Sequence, residues 1–239
     1  MQSKFGFLSK ITFLQDLASI FIAKTNPSIT HNLEKYQAIK KVMYLTAIED
    51  IEGDYLEFGV FTGSSFCHSI RCYQALLYLN PLITKTHFYG FDSFSGFGKL
   101  DEIDKHPFFK NENFTTNFAT VQKRIKKIAK DRFKFTLIPG FFEESLKVRP
   151  SSLGVNRSRV IFIDSDTYSS ASQALKFCAP TIQEGTFFIL DDFFAYHGRS
   201  DRGVTKAFNE FVIENKIEVR KVFDYGMGGA VFIASKINS

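Results

Sequence analysis

The chain of 239 residues has no tryptophan and only three cysteines. Cys67, Cys72 and Cys178 share no metal-ligand spacing and leave an odd thiol, which argues against a disulfide framework and fits a reducing cytoplasm. No apolar stretch is long and clean enough to cross a bilayer. The candidate nearest the amino end, from Phe5 to Lys24, is broken by Lys10, Gln15 and Asp16 and lacks a small-residue cleavage pattern, so it reads as neither signal peptide nor membrane span. The Gly-x-Gly-x-x-Gly fingerprint of nicotinamide enzymes is missing, as are internal repeats and low-complexity tracts. Basic residues exceed acidic ones only by 30 to 25. Their densest run, Lys123-Arg124-Ile125-Lys126-Lys127, reads as a solvated helix face, and no basic, aromatic-rich surface calls for nucleic acid.

What is present is an apolar fraction of 44%, enough for one well-filled α/β domain, and 29 phenylalanines that we attribute to compositional bias. Phe7, Leu8, Ile11, Leu14, Leu17, Ala18 and Phe21 recur at helical spacing. They predict an amphipathic helix that docks on the body, on a second subunit or on a membrane surface, docking on protein being favoured. Asn26-Pro27-Ser28 interrupts it, and Thr30 is placed to cap a second helix through Tyr36, Ile39, Val42, Met43 and Leu45. Residues 1–50 are thus expected to form a helical appendage or lid, and residues 51–239 the main domain.

From Asp54 onward strands and helices alternate. Strands are expected over Asp54–Gly59, His87–Phe91, Arg132–Ile138, Arg159–Ile163 and Thr186–Leu190, with helices over Ser64–Leu79, Thr116–Ala129 and Ser170–Cys178. Such repetition builds a mostly parallel sheet with helices on both faces. A helix from Gly203 to Glu214 and a hairpin of Ile217–Phe223 and Ala230–Ala234 close the chain. The polar segment from Ser93 to Thr116 is too long for an ordinary connection, a length often used for lids.

Two apolar runs end abruptly in acid: Val160-Ile161-Phe162-Ile163-Asp164-Ser165-Asp166 and Phe187-Phe188-Ile189-Leu190-Asp191-Asp192. Read as buried parallel strands, they deliver four carboxylates to one sheet edge. Such a cluster resists ionisation unless a hard cation sits in it, so Asp164, Asp191 and Asp192 are candidate ligands for magnesium or manganese. Asp166 is the candidate base beside Asp164. The simpler reading, helix caps after each strand, suits a lone Asp better than two such strands.

A second constellation lies upstream. Glu57-Phe58-Gly59-Val60-Phe61-Thr62-Gly63-Ser64-Ser65 follows the first strand with small residues and a helix start, where backbone N–H groups can hold an anionic group. Asp92-Ser93 at the end of the second strand is placed to accept hydrogen bonds from ribose hydroxyls. Tyr196 and His197, just past the last acidic strand, could touch a substrate, although a solvated loop histidine is the simpler reading.

Together, Glu57-Phe58-Gly59 with Gly63, Phe91-Asp92-Ser93-Phe94-Ser95-Gly96, Ile163-Asp164-Ser165-Asp166-Thr167-Tyr168 and Leu190-Asp191-Asp192-Phe193 resemble the macrocin O-methyltransferase family over about Asp54 to Phe211. The resemblance implies a Rossmann-like class I methyltransferase fold with a seven-stranded, mostly parallel sheet. It implies a metal-dependent enzyme moving a methyl group from S-adenosylmethionine to a sugar or phenolic hydroxyl, with a sugar preferred. By it, Glu57, Gly59 and Gly63 would line the methionine end of the cofactor, with Phe58, Thr62 and Ser64 also among the cofactor-binding residues. Asp92 would take the ribose hydroxyls with Ser93 beside it as a cofactor-binding residue, Phe141 and Phe142 of the Gly140–Glu143 segment would flank adenine, and Asp164 would contact both cofactor and metal. Where the family has Gly, this chain has Ser165. The partner implied is a small-molecule or saccharide acceptor, with a homodimer as the assembly considered.

One rival fits part of the pattern. Ile161-Phe162-Ile163-Asp164-Ser165-Asp166-Thr167 also resembles the nucleophile strand of haloacid-dehalogenase-type phosphatases, with Asp164 attacking and Asp191-Asp192 closing the site. In that fold the nucleophile strand comes early, and Glu57 and Asp92 would be left idle. A nicotinamide dehydrogenase and a non-catalytic binding module explain less still.

Overall fold

A computed structural model describes residues 11–109 and 114–238. Two helices lead, α1 (Thr12–Lys24) and α2 (Pro27–Ile48). Asn26 rather than Thr30 caps α2, its side chain accepting from Ser28 N while Pro27 takes the first turn. Proline tolerates that position because its missing N–H would have no partner there. Helix α1 buries none of its residues, whereas α2 buries Ala38, Ile39, Val42, Met43 and Ala47 in the main core. Phe7 and Leu8, from the expected first helix, lie outside the described residues.

The body follows as β1 (Asp54–Phe58), α3 (Ser64–Leu76), β2 (His87–Asp92), α4 (Phe118–Ala129), β3 (Lys134–Pro139), the short α5 (Phe142–Ser145), β4 (Ser158–Ile163), α6 (Tyr168–Cys178), β5 (Phe187–Leu190), α7 (Gly203–Glu214), β6 (Ile217–Tyr225) and β7 (Gly229–Ile237). One seven-stranded sheet runs in the order β3-β2-β1-β4-β5-β7-β6. It is parallel through β5, and β7 pairs antiparallel with both β5 and β6.

Every residue of β4 and β5 is buried. The two faces of the sheet explain this. On one, Tyr55, Phe88, Val160 and Phe162 pack with residues of α2, α3 and α4; on the other, Leu56, Phe58, Ile161 and Phe188 pack with α6 and α7. Each fully buried Val, Ile or Phe contributes about 1.5–3 kcal/mol, so strands covered on both sides hold the sheet most firmly.

The strand order reverses between β1 and β4, and ligands of open α/β sheets bind outside the carboxyl ends of strands at such a point. The ladder continues one residue past each strand here. Gly59 N donates to Phe91 O, Asp164 N to Phe58 O, Asp191 N to Ile163 O and Gly140 N to Asp92 O, all at 2.8–2.9 Å. Those bonds fix Gly59, Asp164 and Asp191 in one row along the sheet edge.

Candidate active site

A cavity opens over that edge, lined by Gly59, Phe61, Asp92, Ser93, Phe97, Phe114, Phe141, Phe142, Asp164, Ser165 and Asp166, among others. Gly59 has φ +98°, and a Cβ there would lie 1.8 Å from the Asp164 carbonyl oxygen, so only glycine allows β1 and β4 to approach this closely. Asp92 receives Phe61 N–H at 2.7 Å on Oδ2 and Phe94 N–H at 2.6 Å on Oδ1. Burial raises its pKa against these backbone bonds, and each oxygen keeps a lone pair for a ligand hydroxyl. Ser93 Oγ accepts from Ser95 N and donates to Gly96 O, closing the turn beside it.

Other expected cofactor residues stand further back. Phe58 is a core side chain, stacked on Phe91 at 4.7 Å between ring centroids. Gly63 caps α3 in the left-handed region, and a Cβ there would press on Val121 and Ile125, so its smallness serves helix packing. Thr62 O accepts from Arg124, and Thr62 and Ser64 do not line the cavity. Glu57 is wholly buried beneath it, its carboxylate accepting from the Tyr55 and Ser65 hydroxyls. Burial pushes its pKa up to about 7 despite those two donors and Lys35.

Asp164 lines the cavity while Asp191 and Asp192 stand beside it, and ligand atoms of the three lie within 4.8 Å of one another. Burial and the neighbouring Asp191 push the Asp164 pKa well up; burial and Asp192 do the same to Asp166, which stands in the left-handed region at φ +62°. Asp192 is raised by burial and by Asp191. Asp191 alone is held low, because Lys35 and His31 outweigh its burial.

Sequence reasoning missed Lys35 and His31. Lys35 Nζ lies 3.0 Å from Asp164 Oδ2 and 2.6 Å from Asp191 Oδ2, and His31 Nε2 lies 3.2 Å from Asp191 Oδ2. Burial lowers the Lys35 pKa, but the two carboxylates reverse that and hold it well above its ordinary value. Met227 N donates to His31 Nδ1, so the ring proton is on Nε2, facing Asp191. Tyr225 donates to Asp191 Oδ1 at 2.8 Å. One turn of α2 separates His31 from Lys35, a signal that exists in the sequence only as helical spacing.

The long segment after Ser93 is tied down at several points. Ser95 bridges Thr115, and buried Asp104 accepts from Ser169 N at the start of α6. Tyr196 is buried with its hydroxyl donated to Asp104 O, while His197 is exposed. Neither Tyr196 nor His197 lines the cavity.

The residues present fit the groups implied by the resemblance. Ser165 lines the cavity, and its hydroxyl is buried without a protein partner, an orphan that a polar ligand would satisfy. Three clustered carboxylates are the oxygen-rich kind of donor set that a hard divalent cation takes.

The strand order, with a cleft at its reversal, defines a class I methyltransferase fold. The sequence model of the macrocin O-methyltransferase family (TylF) matches residues 24–223, and the chain belongs to that family. It is accordingly an S-adenosylmethionine-dependent O-methyltransferase. It is similar to the mycinamicin III 3''-O-methyltransferase of Micromonospora griseorubida, with 23% identity over 79% of this chain and 74% of that one. It is also similar to the 8-demethyl-8-(2,3-dimethoxy-alpha-L-rhamnosyl)-tetracenomycin-C 4'-O-methyltransferase of Streptomyces olivaceus, at 24% identity over 70% of this chain and 64% of that one. Among solved structures, the O-methyltransferase NovP and the calicheamicin methyltransferase CalS11 share the fold, each at TM-score 0.66 and 17% identity. They cover 84% and 83% of this chain, and 79% and 77% of their own. The family match leaves the phosphatase alternative without support. No helix among the described residues is long and apolar enough to cross a membrane.

Proposed function

We propose that this chain methylates a sugar hydroxyl, using S-adenosylmethionine and a divalent cation held by Asp164, Asp191 and Asp192. The observation that carries the reading is the double placement of Asp164, which lines the cavity and belongs to the carboxylate cluster. A sugar acceptor is supported by the Streptomyces olivaceus relative, whose name carries a rhamnosyl group and a 4'-O-methylation.

The cofactor supplies an electrophilic methyl group on sulfur, and magnesium or manganese would supply a Lewis acid that makes a nearby hydroxyl easier to ionise. The chain's own residues do the rest. Asp92 accepts from ribose hydroxyls through its remaining lone pairs, Ser165 offers its unpartnered hydroxyl, and Phe141 with Phe142 presents apolar surface to the adenine. Asp166 or Asp164 takes the acceptor proton; their raised pKa values make them stronger proton acceptors, once ionised, than ordinary carboxylates. Alignment of donor, acceptor and base within a dry cleft supplies much of the remaining acceleration.

The N-terminal helices act as a lid over the carboxylates. The apolar side chains exposed on α1, Phe13, Leu17 and Phe21 among them, suit contact with a second subunit, which light scattering of a chain lacking residues 5–24 tests. Three free, buried cysteines accord with work in a reducing cytoplasm. The deciding experiment is calorimetric titration with S-adenosylmethionine and S-adenosylhomocysteine, with magnesium and after chelation, for wild type and Asp92→Ala. A screen of sugar acceptors with methyl-labelled cofactor follows. Micromolar binding that weakens in Asp92→Ala supports the reading, and no binding under any condition sinks it.

A further inference from the structure

Helix α2 carries its own cation into the acidic cluster. Lys35 is 9% exposed, and its ammonium sits between Oδ2 of Asp164 and Oδ2 of Asp191, at 3.0 and 2.6 Å. These carboxylates supply two of the three members of the candidate metal set. A magnesium or manganese ion bound through the same oxygens, at about 2.0–2.2 Å from each, would lie within van der Waals range of Nζ with the same sign of charge. Lys35 and Asp191 are buried, so the repulsion is screened only weakly. Asp191 has little capacity to spare, since Tyr225 occupies Oδ1 while His31 and Lys35 share Oδ2, and a carboxylate offers about four acceptor positions in all.

The same stretch of α2 is fastened to the turn between β6 and β7. Glu34 accepts from Gly226 N at 2.7 Å, and His31 Nδ1 accepts from Met227 N at 3.2 Å. The later part of the helix is anchored differently, through Ala38, Ile39, Val42 and Met43 in the core. Polar contacts to the active site and its rim therefore hold the first two turns, and apolar burial holds the rest. The preceding α1 buries nothing that would resist movement of those turns.

We propose that the Lys35 ammonium and the divalent cation are alternative occupants of the gap between Asp164 and Asp191, so that metal entry displaces Lys35 and loosens the first turns of α2. The inference rests on the metal site proposed above. It makes the lid and the cation site one device: without metal, Lys35 neutralises the carboxylates and latches α2 down; with metal, the latch is released on the side from which an acceptor would approach.

The test is manganese binding to the full-length chain, read by calorimetry and by the electron paramagnetic resonance signal of free Mn²⁺, for wild type, Lys35→Met and Lys35→Arg. Hydrogen exchange with and without Mn²⁺ accompanies it, and S-adenosylmethionine binding serves as the check on folding. Lys35→Met is expected to bind Mn²⁺ at least tenfold more tightly than wild type, and Lys35→Arg no more tightly. Exchange over Pro27–Tyr36 should rise with Mn²⁺ in wild type and change little in Lys35→Met. If Lys35→Met fails to fold, Lys35→Gln removes the charge while keeping a donor. Equal or weaker Mn²⁺ binding by the neutral variants, or unchanged exchange in wild type, overturns the competition while leaving the metal site in place. No Mn²⁺ binding by any variant overturns both, with cofactor binding still reporting separately on methyl transfer.

Discussion

Gly59 and Asp164 meet backbone to backbone at the point where the strand order reverses, with room for no atom between them: a Cβ on Gly59 would fall 1.8 Å from the Asp164 carbonyl oxygen. Gly59→Ala must therefore push β1 from β4 and also pay for a side chain at φ +98°. Backbone strain alone is worth about 1–3 kcal/mol. A fall in melting temperature of about 5 °C or more is expected, with cofactor binding weakened further because Asp164 moves. A variant with wild-type stability and cofactor affinity would show that the close approach does not matter.

Asp92 holds two backbone N–H groups, one from the turn after β1 and one from its own loop. Asp92→Asn keeps the shape but turns an NH2 group toward one of those donors. Hydrogen bonds to charged groups contribute about 1.5–3 kcal/mol, so affinity for S-adenosylmethionine should fall by about one to two orders of magnitude. Calorimetry reads this directly, and an unchanged affinity would move the ribose contact elsewhere.

How far the sequence revealed this site depended on the kind of signal. β4 and β5 were legible because apolar runs ending in acid have few other readings, and the carboxylates stand where those runs predicted. Gly59 was legible for the same reason, as a small residue directly after a strand. Gly63 looked identical in sequence, but it packs against α4, a distinction set by a helix more than fifty residues away. Lys35 and His31 were invisible, because a lysine and a histidine one turn apart on a helix look like any solvated face until the helix is docked. Glu57 was read as a cofactor residue, yet the structure buries it against Tyr55 and Ser65, outside the cavity lining, and that burial depends on packing across the sheet.

Ser165 should show opposite effects on stability and on binding. Its hydroxyl is buried without a partner in the protein, so Ser165→Ala removes an unsatisfied group and is expected to leave thermal stability unchanged or slightly higher. A hydrogen bond to the ligand is worth about 0.5–1.5 kcal/mol, so cofactor affinity should fall roughly threefold to tenfold. Loss of stability with unchanged binding would mean that the hydroxyl serves the fold.

Glu57 makes a pH prediction with a definite sign. Burial raises its folded pKa to about 7 from the model-compound value of 4.5. Between those values the folded chain holds a proton that the unfolded chain has released, so stability falls as pH rises. The contribution is fully present below about pH 4.5, is lost progressively through about pH 7, and is constant above that; a shift of this size corresponds to about 3 kcal/mol. Glu57→Gln keeps an acceptor for Ser65 and gives Tyr55 a donor in place of the carboxylate, while removing the titration. Urea unfolding of both proteins between pH 5 and pH 8 should give curves that diverge with rising pH, the variant gaining relative to wild type. Parallel curves would mean that Glu57 is ionised across the whole range, held so by Lys35 and by the hydroxyls of Tyr55 and Ser65.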